Sequence, residues 1–298
     1  MKKLAILGLG IGVLSAGLYF GANIYGTKVA EAKVNKLIDS MENDNVTVDY
    51  KNISFKPLAQ DVHLKDITIK AADEPTEISI EKMIIREIDE KSDVPTVFDA
   101  SVQGLVVDVE QPEQKEMPGF LKQAGYDTGL KFDIDTKYQY DSTKREMNLD
   151  TFRISADQVG DLSVNAKLGN VDLKDFDPQK ADPTGVPTNL DTIYHGIEIT
   201  YEDDSFADRL LTAIATEQGI GVDELKAQMT AQLTQVSQFM PEGNKLATHG
   251  VNEVVAFIKD PKGFRISMKP EEPMQFQQLM SENPDSWADI LNIEIEAF

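Results

Sequence analysis

Three histidines, His63, His195 and His249, are the side chains here best suited to move protons or bind a metal near neutral pH. None stands in an HxH or HExxH spacing, and no cysteine exists to complete a zinc set. His63 lies between Val62 and Leu64, which assigns it to the wet face of a strand. His195 stands beside Tyr194 at a strand start, and His249 near a helix start. Each reads as a surface or capping histidine. The lack of cysteine also excludes disulfides and thiol catalysis. No GxSxG, Walker or dinucleotide glycine pattern occurs, and Gly219-Ile220-Gly221 reads as a turn between two helices.

Carboxylates are the abundant resource, with 51 acidic residues against 29 basic ones and a net charge of -22. Asp133 and Asp135 alternate on one strand face, about 7 Å apart, a separation that glycosidases use. Lys131 and Lys137 flank them, so a solvated ion-pair ladder explains the pair more simply. Glu202-Asp203-Asp204, and Asp172 with Asp175 and Asp177, could meet calcium, but neither follows the DxDxDG loop with its distal Glu. The reading therefore assigns no catalytic residue, no metal ligand and no cofactor. A surface this negative repels nucleic-acid phosphates and anionic headgroups, and the sequence shows no basic cluster to offset it. Nucleic acid is not an expected partner.

The elements that would position a site begin with the N-terminus. Lys2 and Lys3 precede an uncharged stretch from Leu4 to Tyr25. As a helix it would be roughly 33 Å long, enough for a hydrocarbon core of about 30 Å. The lysines would stay in the cytoplasm, and Tyr19, Phe20 and Tyr25 would lie toward the outer interface. Residues 1–26 are thus expected to form a transmembrane anchor. A cleaved signal peptide, with Ala30-Glu31-Ala32 as the small-x-small site, is the competing reading. Gly8, Gly12, Gly17 and Gly21 form small-xxx-small pairs that could join two such helices in a homodimer. Residues 27–45 read as a connecting helix.

An antiparallel β-rich domain is expected over 46–172. Its cleanest signal is the alternation of Leu130, Phe132, Ile134, Thr136, Tyr138 and Tyr140 with Lys131, Asp133, Asp135, Lys137 and Gln139. Leu130, Phe132, Ile134, Tyr138 and Tyr140 form the candidate apolar ligand face. Met147 and Leu149, then Phe152 and Ile154, change parity and predict a bulge near Asp150 or Thr151. Residues 173–190, rich in Pro and Asp, read as a linker. Residues 191–298 read as an α+β region, with Asp204 or Ser205 capping its first helix and Trp287 anchoring its end. The fold class expected is α+β: transmembrane helix, antiparallel β-rich domain, helix-rich C-terminal third.

The lysine-headed, glycine-rich start, the run Tyr25-Gly26-Thr27-Lys28 and Val48-Asp49-Tyr50-Lys51-Asn52 resemble the opening of the YdgA-like bacterial envelope proteins. The unit Tyr50 to Ile69, ending Asp66-Ile67-Thr68-Ile69, with Ile78 to Met83 and Val102 to Val107, resembles the start of AsmA-like proteins. The resemblance covers about a third of the chain and carries no catalytic motif. It implies a curved β groove that holds lipid. The function expected is a non-catalytic, inner-membrane-anchored envelope protein with its bulk in the periplasm, binding lipid or another apolar ligand in a β groove or acting as a scaffold for an envelope protein. The alternatives are a carboxylate-dependent hydrolase of envelope polymers and a calcium-dependent binding protein.

Overall fold

A computed structural model describes residues 46–71, 77–88, 96–107, 124–126, 130–172, 191–238, 245–283 and 286–298, with Lys28, Glu31 and Asn35. The strands are β1 (Val46–Lys56), β2 (Asp61–Ala71), β3 (Glu77–Ile88), β4 (Val97–Val107), β5 (Leu130–Asp141), β6 (Glu146–Ala156), β7 (Gly160–Gly169) and β8 (Ile193–Asp203). Then come α1 (Phe206–Gln218), α2 (Val222–Gln238), α3 (Lys245–Lys259), β9 (Gly263–Met268), β10 (Met274–Gln275), α4 (Phe276–Ser281), α5 (Trp287–Ile290) and β11 (Ile293–Ala297).

The expected α+β class is corrected. The chain is mostly antiparallel sheet, with strand order β1-β2-β3-β4-β5-β6-β7-β8-β9-β11 and β10 paired to β8. The C-terminal strands continue this order instead of building a separate α+β fold. Helices α1 to α3 occupy the connection between β8 and β9, which are sheet neighbours paired from Ile197↔Met268 to Glu202↔Gly263. The physical reason is that each strand carries two rows of backbone donors and acceptors that must be paired. The short β9 satisfies both rows, one on β8 and one on β11. Among the described residues no helix is long and apolar enough to cross a membrane, so the expected transmembrane helix is not supported. Residues 1–26, with Gly8, Gly12, Gly17 and Gly21, lie outside the described residues, as does 173–190. Of the expected connecting helix, Lys28, Glu31 and Asn35 are described, and they are helical.

Two compact units are defined by contacts. Among the described residues, one holds β1 to β4 with 131–152, 167–172 and 191–193; the other holds 124–126, Leu130, 153–166 and 194–298. In the first unit the apolar face of β1 to β4 is sealed. Leu64 and Met83 are fully buried, and Ile67, Ile69, Ile80 and Leu105 nearly so.

Simple alternation does not produce that face, because its parity breaks at one aligned row in each strand, and β3 breaks it again where its register on β4 shifts between Ile85 and Glu87. The buried residues run Val48 then Ile53 in β1, Val62 and Leu64 then Ile67 and Ile69 in β2, Ile78 and Ile80 then Met83 and Ile85 in β3, and Ala100 and Val102 then Leu105 in β4. The pairing either side of each break in the aligned row keeps one register, as in Asn52↔Lys65 with Tyr50↔Ile67. Lys51, Asp66, Glu81 and Gly104 therefore share one row across the sheet. Asp66 and Gly104 adopt positive φ, 50° and 65°. A left-handed residue turns the strand, so that the next side chain returns to the face its predecessor left. Aspartate tolerates this conformation through its short polar side chain. At 104 glycine alone leaves Glu81 in place, because a Cβ would stand 2.5 Å from Glu81 Cγ. In β5 the exposed residues Lys131, Asp133 and Gln139 are all odd-numbered, and no such break occurs. The left-handed turn at Gly104 leaves its N–H to be met by a side chain, and it donates to Asp133 Oδ1 at 2.8 Å.

In the second unit, α1 and α2 pack through Leu211, Ala215 and Leu225. Gly219, with φ 69°, ends α1, and its N–H reaches back to the Ala215 and Thr216 carbonyls. Phe257 of α3 meets Tyr201 and Phe264 edge-on, at 6.4 and 6.3 Å between ring centres. Glu253 of α3 accepts the Ala297 N–H at 2.8 Å, which ties the helix to β11.

Candidate functional site

Strand β5 carries the candidate apolar face. Ile134 is buried at 8% exposure, whereas Leu130, Phe132, Tyr138 and Tyr140 are each half-buried. Tyr138 stacks on Phe98 of the sealed face, with ring centres 5.6 Å apart and planes 25° apart. That contact places the row on the same side of the sheet as the β1 to β4 core. Burial pushes the Tyr138 phenol up to about 12, because an apolar surrounding penalises the phenolate. Tyr140 donates its hydroxyl to the Val171 carbonyl at 2.8 Å, and burial raises its pKa as well, followed by the Asp172 charge. In β6, Met147, Leu149 and Phe152 are also half-buried. Its exposed residues Asn148 and Arg153 stand an odd number of positions apart, which fits the expected change of parity between them. The face is thus closed over β1 to β4 and half-open over β5 and the start of β6.

The carboxylates of β5 are engaged within the sheet. Asp133 Oδ1 accepts the Gly104 N–H, and Asp135 Oδ1 accepts from the buried Ser101 hydroxyl. Beside them, Arg86 bridges Asp99 at 2.9 Å and Ser101 at 2.7 Å, and Lys137 lies 3.3 Å from Asp99. The expected ladder of Asp133 and Asp135 with Lys131 and Lys137 is therefore corrected: the aspartates take neutral donors of β4, and Lys137 pairs with Asp99. Lys131 pairs with Glu81.

The calcium candidates are likewise held by protein donors. Ser205 takes the N-cap position of α1, as expected, but without a side-chain bond; Asp203 Oδ1 instead accepts the Ala207 N–H at 3.0 Å, along with the Tyr201 hydroxyl at 2.6 Å. Asp204 accepts the Gln158 N–H at 2.7 Å. Asp172 lies 3.9 Å from Arg145, while Asp175 and Asp177 lie outside the described residues. Among the described residues no three His, Cys, Asp or Glu side chains gather as a metal set.

The histidines remain apart. His63, on the polar side of β2, is 17% exposed, and its Nε2 stands 3.7 Å from Asp61. Burial lowers its pKa first, then the Lys82 charge, against a smaller raising effect of Asp61. His195 is half-buried in β8, and exposed His249 stands 3.7 Å from Glu253 one helical turn on. Trp287 is half-buried at the head of α5, with its indole N–H enclosed and unpartnered among the described residues.

A cleft of about 550 Å³ lies beside α1, lined by Gly125, Arg209, Thr212 and Thr216. Its cation is already braced. Arg209 lies 5.3 Å over the Tyr126 ring and donates to Ser205 at 3.2 Å and Gln158 at 2.6 Å.

A family model described as "Uncharacterized protein" matches residues 153–298. An uncharacterized protein of Aquifex aeolicus (strain VF5) is 22% identical over 288 residues, spanning 94% of this chain and 92% of its own length.

Proposed function

We propose that this chain is a non-catalytic protein of the bacterial envelope that binds an acyl chain along β5. The observation that carries this reading is the contrast along one sheet face. Apolar residues of β1 to β4 are sealed, while Phe132, Tyr138 and Tyr140 stay half-open beside them. Leu130 to Tyr140 spans about 34 Å of strand, enough to lay an extended acyl chain along. The even-numbered residues of the row carry no charge, which suits a ligand body that carries none. An acyl chain needs such an apolar track, with polar groups only where its head emerges. Engagement of Asp133 and Asp135 inside the sheet supports a binding role over carboxylate catalysis. The uncharged Leu4 to Tyr25 stretch behind Lys2 and Lys3 supports export to the envelope.

The test is native mass spectrometry of the purified full chain, with uptake of a fluorescent fatty acyl probe. Co-purified lipid is expected, and Phe132→Ser should weaken probe binding about tenfold, the effect of removing one buried aromatic. Absence of both lipid and probe uptake, or probe binding that ignores the substitution, overturns the proposal. A protein partner retained in place of lipid would also overturn it, in favour of a scaffold.

A further inference from the structure

The opposite, polar face of β1 to β4 carries a feature that the apolar row does not use. Register sets Asn52 beside Lys65, Lys65 beside Lys82 and Lys82 beside Gln103, one unbroken row over four strands. Residues directly opposite each other on a sheet have Cβ atoms about 5 Å apart, and like charges so placed repel. Lys65 and Lys82 form that pair, and neither joins an ion pair among the described residues. The next row does balance: Lys51 with Asp66 at 3.8 Å, and Lys131 with Glu81. The unbalanced field is felt by His63, two residues from Lys65, whose pKa is lowered partly by Lys82. Two facing cations with amides on both sides, in a chain of net charge -22, are arranged as donors to a multivalent anion.

We propose that Asn52, Lys65, Lys82 and Gln103 form a binding site for a phosphoryl group. Two ammonium groups can each reach a different oxygen of one tetrahedral anion, and the flanking amide N–H₂ groups can reach further oxygens. Binding removes the lysine–lysine repulsion, so ligand and fold stabilise each other. The group could belong to free phosphate or to a lipid headgroup, which share this chemistry.

Thermal unfolding and calorimetric titration of the full chain with inorganic phosphate test the site. Co-sedimentation with phosphatidylglycerol vesicles, against phosphatidylcholine, distinguishes the sources. Phosphate should raise the Tm of the wild type but not of K65Q/K82Q, and the double variant should bind at least about tenfold more weakly. Without phosphate, K82Q should melt higher than the wild type, because a like-charge pair is gone. K65R/K82R should keep binding, which separates lost charge from lost fold. Pelleting with phosphatidylglycerol that K65Q/K82Q abolishes and phosphate competes away supports the site with a headgroup as its source. Phosphate binding without pelleting supports it with the soluble anion. Binding of neither ligand, or equal binding by K65Q/K82Q and wild type, overturns the site.

Discussion

Replacing Gly104 by alanine probes the row where four strands change parity together. The position has φ 65°, and an added Cβ would stand 2.5 Å from Glu81 Cγ and 2.6 Å from Cδ. A left-handed conformation costs a residue with a Cβ about 1–2 kcal/mol relative to glycine. The clash is with a side chain, so Glu81 can swing aside at the expense of its ion pair with Lys131. Those two side chains are 61% and 60% exposed, so the pair is worth only about 0–1 kcal/mol. The sum is about 2 kcal/mol. For a unit of this size that corresponds to a fall in Tm of about 4–8 °C. Urea unfolding followed by circular dichroism gives the free-energy difference. The same substitution in an Glu81→Ala background should cost only the backbone part, about 1–2 kcal/mol. A cost below about 0.5 kcal/mol in the wild type would refute the left-handed requirement. Equal costs in the two backgrounds would show that Glu81 is not the obstacle.

Tyr138 should ionise near pH 12, and a tyrosinate step in an ultraviolet titration near that pH should vanish in Tyr138→Phe. Its raised pKa means that the native state holds the proton more tightly than the unfolded chain. The stability contributed is complete below about pH 10 and is lost as pH rises from there to about 12, so alkaline unfolding should shift upward in Tyr138→Phe. Asp203→Ala should cost about 1–2 kcal/mol in urea titration, because the Ala207 N–H at the start of α1 loses its acceptor. The Tyr201 pKa, raised by burial first and by Asp203 second, should fall in the same variant, as followed by NMR.

Local elements were legible because they follow from short-range pattern. The alternation of β5 and the helices either side of Gly219 form where periodicity and turn residues place them. The parity breaks were also written in the chain, as the three-residue gap from Leu64 to Ile67 and from Val102 to Leu105. One such gap in isolation has no clear meaning. Four of them gain one when pairing aligns them, which requires knowing which strands are neighbours. The helix cap shows a smaller case. Asp203, Asp204 and Ser205 are all competent acceptors, and the direction of the chain leaving β8 gives the Ala207 N–H to Asp203.

The sequence alone determined the one-sided strands, the acidic surface and the lack of any cysteine chemistry, because these depend on residue type and period-two geometry. The grouping of those strands was decided by tertiary structure. Backbone hydrogen bonds are indifferent to sequence distance, so β9 could complete itself on β8 and β11, which turned an expected α+β region into the continuation of one strand order. The same non-local pairing set Lys65 against Lys82, and Asp133 against the Gly104 N–H, contacts that a linear chain does not display.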